Sequence, residues 1–387
     1  MRKALITAGG RATRLRPITH TMNKHLIPLA GKPMIVHVIE KIVEAGITEI
    51  IVNVNPGDRE LPKLLGDGGR WGASVRCVEQ TGGPLGLGHI LRVAEPYIGA
   101  EPFLFYLGDN IILGSIRRFV ERFRAERLDC LLALARVPDP QRFGVPELRD
   151  GRIVRVEEKP SAPKSPYAVT GIYLYQPVVF DAARAITPSA RGELEISDVH
   201  TWLIERGHAV GYEEITGWWK DTGKPQDLLE GNQLLLGEPS FQSSIGDASI
   251  AEGAVLQGRV RLGAGTRIEG RSLIRGPVVI GARCVIRDSY IGPYTTIGDE
   301  VTVIDTEVEH AIVFDGAQIT AGRRVVDSII GTQACACSSW GDQGCWVDTC
   351  AVRLPMRRCS HGDGRSAMSR IALRSRRSSR PHGRMWW

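Results

Sequence analysis

The sequence predicts an α/β chain in which an open, mostly parallel, Rossmann-like sheet is followed by a parallel β-solenoid. Up to about residue 235, short apolar runs alternate with amphipathic helical stretches, the pattern of a sheet covered by helices on both faces. Beyond residue 241, six-residue segments begin with an aliphatic residue that is usually followed by glycine, the mark of a coil built from hexapeptide sides. A length of 387 residues also exceeds one ordinary core, so at least two domains are expected. The divisions read from these patterns are 1–235, 241–331 and an atypical tail, 334–387.

The first strand is KALITA (3–8), a short apolar run that ends in glycines. A helix follows with Pro33 in its first turn, Ile35, Ile39, Ile42 and Val43 on one face, and Gly46 as its stop. EIIVNV (49–54) is the second strand and SVRCVEQ (74–80) the third. A helix is predicted near 86–94, then the strand FLFYLGDN (103–110), a helix over about 114–126, and the strand CLLALARV (130–137). The stretch 231–245 is the expected junction. IAEGAV (250–255), LGAGTR (262–267), IGARCV (280–285), IGPYTT (291–296) and IGDEVT (297–302) then share the hexapeptide pattern. These repeats resemble the left-handed parallel β-helix of hexapeptide proteins.

The pattern ends after VVDSIIG (325–331). Residues 334–387 show no period, and are expected to be disordered and to carry no chemistry. They contain ten Arg, no Lys and three Asp, a net charge of +7 against +6 for the whole chain. The first 333 residues therefore sum to −1, and nothing in them points to nucleic-acid binding. Five of the eight cysteines also fall in the tail, leaving Cys77, Cys130 and Cys284, which fits a reducing compartment without a disulfide framework. The N-terminal apolar run stops at Gly9 and Gly10, too soon for a signal peptide. No stretch approaches the roughly 18 apolar residues of a membrane span. A cytoplasmic protein without a membrane partner is expected.

The chemistry begins with AGGRATRLRPIT (8–19). Two glycines directly after a strand let the backbone approach a bulky anion and turn successive N–H groups toward it. Arg14 and Arg16 can meet phosphate oxygens with planar donor forks, Pro17 stiffens the exit and Lys24 follows. The loop lacks both the Gly-Lys-Ser/Thr of a Walker motif and a dinucleotide GxGxxG. Asp109, in GDN (108–110), stands at the end of an apolar strand, where it suits Mg²⁺ but also an ordinary helix N-cap. Lys24 alone would pass for a solvated surface lysine.

The run GGRATRLRPITHTMNKHLIPLAGKPMI (9–35) resembles the signature of the sugar-nucleotide pyrophosphorylases, a nucleotidyltransferase family. It is most similar to the long-form glucose-1-phosphate thymidylyltransferases that carry a C-terminal β-helix, and the likeness covers about residues 1–331. The resemblance implies that Ala8, Gly9, Gly10, Thr13 and Arg14 hold the triphosphate, with Arg14 and Lys24 facing the departing pyrophosphate. It implies that Gln80 and Gly86, in EQTGGPLGLGHI (79–90), meet the base. It pairs Asp109 with Asp221, from WWKDTGKP (218–225), as the two Mg²⁺ ligands. For the sugar phosphate it implies Asn110, Gly144, Glu158, Lys159, Val169, Gly171 and Arg191, with Lys159 on the phosphate. An ordinary helix start, with Glu193 and Glu195 complementing the dipole, competes for the Arg191 segment. Ala12 departs from the signature, which has glycine there. The position is taken to need only a small side chain, whereas a positive φ would cost Ala about 1 kcal/mol.

The implied reaction joins dTTP, or UTP, to glucose 1-phosphate with Mg²⁺ and releases pyrophosphate. A sugar phosphate is already anionic, so no Ser, Cys or His nucleophile is needed, and positioning with charge neutralisation suffices. Thymine and uracil differ by one methyl, and the same Gln can read both. Two other classes compete. Hexapeptide coils also house acyltransferases that use a His, and His310 lies in EVEHAIV (307–313). A non-catalytic regulatory homologue should have lost Arg14, Lys24, Asp109, Lys159 or Asp221, and all five are present. The β-helix is expected to serve assembly or feedback, and the chain to be a homo-oligomer.

Overall fold

Strand β1 (Lys3–Thr7) lies at the centre of a nine-stranded sheet in the computed structural model. The structure describes residues 1–332 except 11, 21 and 321–323, together with the backbone of 335–336 and 351–353. β1 pairs in parallel with β2 (Glu49–Val54) on one side and with β4 (Phe103–Leu107) on the other, and β3 (Ser74–Glu79) lies outside β2. The spatial order 3-2-1-4 reverses between β1 and β4, and an open α/β sheet has its ligand crevice at the carboxyl ends of such a pair. The strand β5 (Asn110–Ile112) follows β4 directly and belongs to a separate ladder.

Beyond β4 the sheet turns antiparallel. β9 (Tyr167–Tyr175) runs against β4 and β6 (Cys130–Arg136), and meets β7 (Gly144–Arg149) at Val169. β7 pairs antiparallel with β8 (Arg152–Glu158), and β10 (Val210–Glu214) runs parallel to β6. The antiparallel β7–β8–β9 segment, absent from the sequence-based strand list, carries Gly144, Glu158 and Val169 to the crevice.

The amphipathic reading places three helices, with modest shifts of their ends, and leaves out the others. α1 (Met34–Glu44) buries Met34, Ile35, Val38, Ile39 and Ile42, and Gly46 takes φ 81° just beyond it. α2 (Glu60–Leu65) is short, α3 is Leu87–Ile98, and α4 is Arg117–Ala125. α5 (Val179–Ala185) and α6 (Ile196–Glu205) cover one face of the sheet together with α3. α1, α2 and α4 cover the other. No helix among the described residues is long and apolar enough to cross a membrane.

The hexapeptide region forms parallel strands stacked coil on coil. Ile250 pairs with Ile268 and Ile268 with Ile286, a step of 18 residues, or three hexapeptides per turn. Leu262, Ile280, Ile291 and Ile297 point into a common apolar core, as their place in the repeat requires. Ile250 does not: it is 38% exposed because its coil is the first and no earlier coil covers it. Of the tail, Cys335–Ala336 continues one stack, and Ala351–Arg353 pairs antiparallel with Arg324–Ile330. The expectation of disorder for 334–387 otherwise lies outside the described residues.

α7 (Pro225–Gly237) leads from the sheet to the solenoid and touches both. Its Asn232 is fully buried. The Asn232 Oδ1 accepts from the Ala30 N–H at 2.8 Å and from the Thr296 hydroxyl at 2.7 Å, and Nδ2 donates to the Tyr294 carbonyl at 2.9 Å. One amide thus joins the turn after the phosphate loop, the linking helix and the solenoid. Asn232→Leu strands two donors and one acceptor, each costing roughly 1–3 kcal/mol when buried unsatisfied. Its unfolding midpoint is expected to fall by several degrees in differential scanning calorimetry, and a wild-type midpoint would remove the clamp as a source of stability.

Candidate active site

The chain leaves β1 at Ala8, whose side chain is fully buried and whose carbonyl accepts from the Asn23 amide at 2.9 Å. Gly9 and Gly10 follow, and Asn55 pins the second of them. Its Oδ1 accepts from the Gly10 N–H at 2.8 Å and its Nδ2 donates to the Gly10 carbonyl at 3.1 Å. Ala12 then takes φ 42° and ψ 43°, the left-handed region. The expectation that this site needs only a small side chain is therefore corrected: the turn demands a positive φ, and Ala bears the strain of its Cβ there. Leu15 and Ile18 fix the remainder of the loop by packing into a core shared with Ile312, Phe314 and Ile329 of the solenoid.

Asp109 and Asp221 are 112 residues apart in the chain and meet through a short antiparallel ladder. β11 (Trp219–Asp221) runs against β5, with Asp221 opposite Asn110. Thr222 closes the join, donating to the Asp109 carbonyl through its N–H at 3.0 Å and its hydroxyl at 2.7 Å. Both carboxylates are buried enough to affect their ionisation. Burial raises the Asp109 carboxyl, but the adjacent Lys24 ammonium outweighs it and holds the group down at about 2. Burial, and next the charge of Asp109, push Asp221 up to about 6. Arg14 completes the group, since a Cβ on Gly223 would stand 3.2 Å from both Arg14 Nη2 and Asp221 Oδ2.

A cleft of about 630 Å³ runs from this cluster across the crevice. Of the residues predicted from sequence, Gly9, Gly10, Arg14, Lys24, Gln80, Gly86, Asp109, Gly144, Glu158, Lys159, Val169, Arg191 and Asp221 line it. On its wall Glu158 accepts from Ser197 Oγ at 2.8 Å and pairs with Lys159 at 3.1 Å and Arg191 at 3.5 Å. Lys159 is half-exposed and its backbone N–H donates to the Phe143 carbonyl at 2.9 Å. Arg191 is also held by Glu195 at 2.7 Å and Glu193 at 3.8 Å, so its charge is already balanced. Glu195 is the N-cap residue of α6, so the helix-start reading of this segment and its place in the cleft both hold.

Four predicted residues do not reach the cleft wall. Ala8 is inside the core, and Thr13 is exposed outside the cleft. Asn110, only 3% exposed, lies behind the wall. Its Oδ1 accepts from the Gly171 N–H at 3.1 Å and from Trp219 Nε1 at 2.7 Å, while its Nδ2 donates to Asp109 Oδ1 at 2.9 Å. Its amide therefore orients Asp109. Gly171 has no side chain because a Cβ there would lie 2.7 Å from Asn110 Cγ and from Leu107 Cβ. Gly86 lines the cleft, but its missing Cβ makes room for the Leu194 carbonyl, which would lie only 2.7 Å away.

Sequence reasoning missed Asn55, Arg142, Ser197 and Thr222. Thr222 sits inside the quoted DTG segment and could have been singled out, whereas Ser197 and Asn55 act across chain separations that no local pattern reveals. Arg142 lines the cleft and pairs with Asp139 at 2.6 Å.

A glycine-turn phosphate loop and two carboxylates at the switch point of a Rossmann-like sheet are the parts of a nucleotidyl-transfer site. The model of the nucleotidyl transferase family matches residues 3–238, and the chain belongs to that family. Within it, the chain is 44% identical over 330 residues to the glucose-1-phosphate thymidylyltransferase of Streptomyces griseus, covering 85% of this chain and 92% of the relative. It is 39% identical over 335 residues to the low-salt glycan biosynthesis nucleotidyltransferase Agl11 of Haloferax volcanii, covering 86% and 93%. A Bacillus anthracis crystal structure described as a glucose-1-phosphate thymidylyltransferase, in complex with sucrose, aligns with TM-score 0.56 and 40% identity. That alignment covers 60% of this chain and 94% of the other.

Ala12→Gly removes the left-handed strain at the cost of a more flexible unfolded chain. The unfolding midpoint is expected to rise by the equivalent of a few tenths to about 1 kcal/mol. A lower midpoint would mean that the methyl contact with the underlying core outweighs the strain.

Proposed function

We propose that this chain transfers a thymidylyl group from dTTP to glucose 1-phosphate, forming dTDP-glucose and pyrophosphate. The observation that carries the reading is the make-up of one cleft: Arg14, Lys24, Asp109 and Asp221 line it beside the Gly9–Gly10 turn, and Glu158 and Lys159 line the same cleft. Relatives that share most of this chain's length bear that activity in their names.

The residues fit a divalent cation. Two neighbouring carboxylates, one pushed up to about 6 by burial and by the other's charge, form a hard oxygen site that a cation would relieve. Asp109 and Asp221 would hold Mg²⁺, which supplies charge neutralisation at the phosphates when bound.

The chain's own groups do the rest. The Gly9–Gly10 turn, clamped by Asn55, presents backbone to the triphosphate, and Arg14 with Lys24 balances the charge of the departing pyrophosphate. Glu158 receives sugar hydroxyls, and Lys159 holds the sugar phosphate close to the α-phosphorus. A phosphate oxygen of glucose 1-phosphate forms the new bond to the α-phosphorus, while the bond to the bridging oxygen breaks and its electrons leave with pyrophosphate. Gln80 faces the base. The protein works in the cytoplasm as a homo-oligomer.

With Mg²⁺, dTTP and glucose 1-phosphate, the protein is expected to release pyrophosphate, and dTTP to outcompete UTP in a mixed-triphosphate assay. Failure to turn over any nucleoside triphosphate with a sugar 1-phosphate would sink the proposal. Asp109→Asn and Asp221→Asn should each lower kcat by about 10²-fold or more, on the scale of losing one preorganised charge-stabilising group. Wild-type rates in both would remove the cation assignment.

A further inference from the structure

The cleft wall beside Gly9 contains an amide whose direction is set by a residue that the proposed mechanism leaves unused. Gln80 is 6% exposed, and its backbone N–H donates to the Val54 carbonyl at 2.9 Å. Its side-chain Nε2 lies 3.2 Å from Nδ1 of His89, in the first turn of α3. An amide nitrogen only donates, so His89 Nδ1 must be bare and its proton must sit on Nε2. Burial and next the nearby Arg92 charge lower the His89 pKa, which favours the neutral ring. With Nε2 of Gln80 so engaged, Oε1 is left toward Gly9, 3.7 Å from where a Cβ on that residue would stand. Gln80 and Gly9 both line the cleft.

We infer that His89 is a positioning residue for base recognition: it locks the Gln80 amide so that only its carbonyl oxygen faces the base. The inference rests on the reading of Gln80 as the base contact. A free glutamine can turn either its donor or its acceptor to a ligand, and so distinguishes bases poorly. One whose amide nitrogen is tied to His89 turns its carbonyl oxygen toward the Gly9 side of the cleft. Thymine and uracil carry an N3–H that matches that acceptor. Cytosine carries a bare N3 that would meet it lone pair to lone pair and leave both groups unpaired. A site built around one hydrogen bond rejects an analogue that cannot make it far more strongly than a pocket that senses only shape. Selection of imide pyrimidines over cytosine thus depends on a residue that does not itself touch the nucleotide.

The test uses the full chain with Mg²⁺ and saturating glucose 1-phosphate, and measures kcat and KM for dTTP and dCTP. His89→Phe fills a similar volume without an acceptor, and His89→Gln offers an Oε1 that can accept the same amide proton. His89→Phe is expected to raise KM for dTTP about tenfold with kcat within about twofold, and to narrow the dTTP/dCTP preference by about tenfold, the scale of one modest hydrogen bond. His89→Gln should recover most of both losses. Gln80→Ala separates the layers of the argument. If it raises KM for dTTP while His89→Phe keeps wild-type KM and preference, the role of His89 is overturned and the base contact stands. If Gln80→Ala itself keeps wild-type KM and preference, the base-contact reading fails. A fall in kcat alone in His89→Phe, or no recovery in His89→Gln, marks His89 as structural and overturns the inference.

Discussion

Two partly buried carboxylates that must sit side by side govern the rest of this structure. Asp109 and Asp221 repel one another in a poorly solvated place, where like charges are most costly. What keeps them together is backbone geometry: the β5–β11 ladder sets their register, and Thr222 fastens one strand end to the Asp109 carbonyl. What makes them tolerable is the cationic side of the site, with Lys24 on Asp109 and Arg14 beside Asp221. The second carboxylate nevertheless remains raised to about 6, so the cluster still has an appetite for positive charge. A site in that condition is suited to a cation and a polyphosphate arriving together, since each balances the charge that the other brings.

The same requirement explains why a solenoid backs the catalytic loop. A loop that holds Arg14 beside Asp221 gains nothing from being loose, because each degree of freedom must be frozen for the charges to meet. Here Leu15 and Ile18 anchor the loop in an apolar cluster to which the solenoid contributes Ile312, Phe314 and Ile329. Asn232 fixes the neighbouring turn at Ala30 to the same body. The solenoid therefore forms part of the floor of the phosphate loop, and a distortion of its later coils has a short route to Arg14.

Strands β1 to β4 and β6, helices α1, α3 and α4, and the hexapeptide coils were legible because each follows a period that a single chain displays. The cleft was legible where a side chain has an unusual neighbour in sequence, as with Gly9 and Gly10 after a strand, or Asp109 at a strand end. Legibility failed where a residue's role depends on what lies behind it. Asn110 and Gly171 look like pocket residues in sequence, but one orients Asp109 and the other is bare so that Asn110 can fit. Arg191 looks like a free phosphate cation until Glu158, Glu193 and Glu195 are seen around it. The conformation of Ala12 could not be read either, since a small residue suits both a tight contact and a left-handed turn.

The two groups of charges in the cleft differ in how far they are exposed. Beside the glycine turn, Lys24 and both carboxylates are partly buried and Lys24 is closely paired with Asp109, while Arg14 is exposed. Around Glu158, Lys159 and Arg191 are partly exposed and share its carboxylate, which also accepts from Ser197. An exposed pair is worth little and is easily traded. The charges beside the glycine turn are thus less exposed to exchange with solvent at Lys24 and Asp109 than those around Glu158. Positioning can then do the work that a covalent nucleophile does in other transferases.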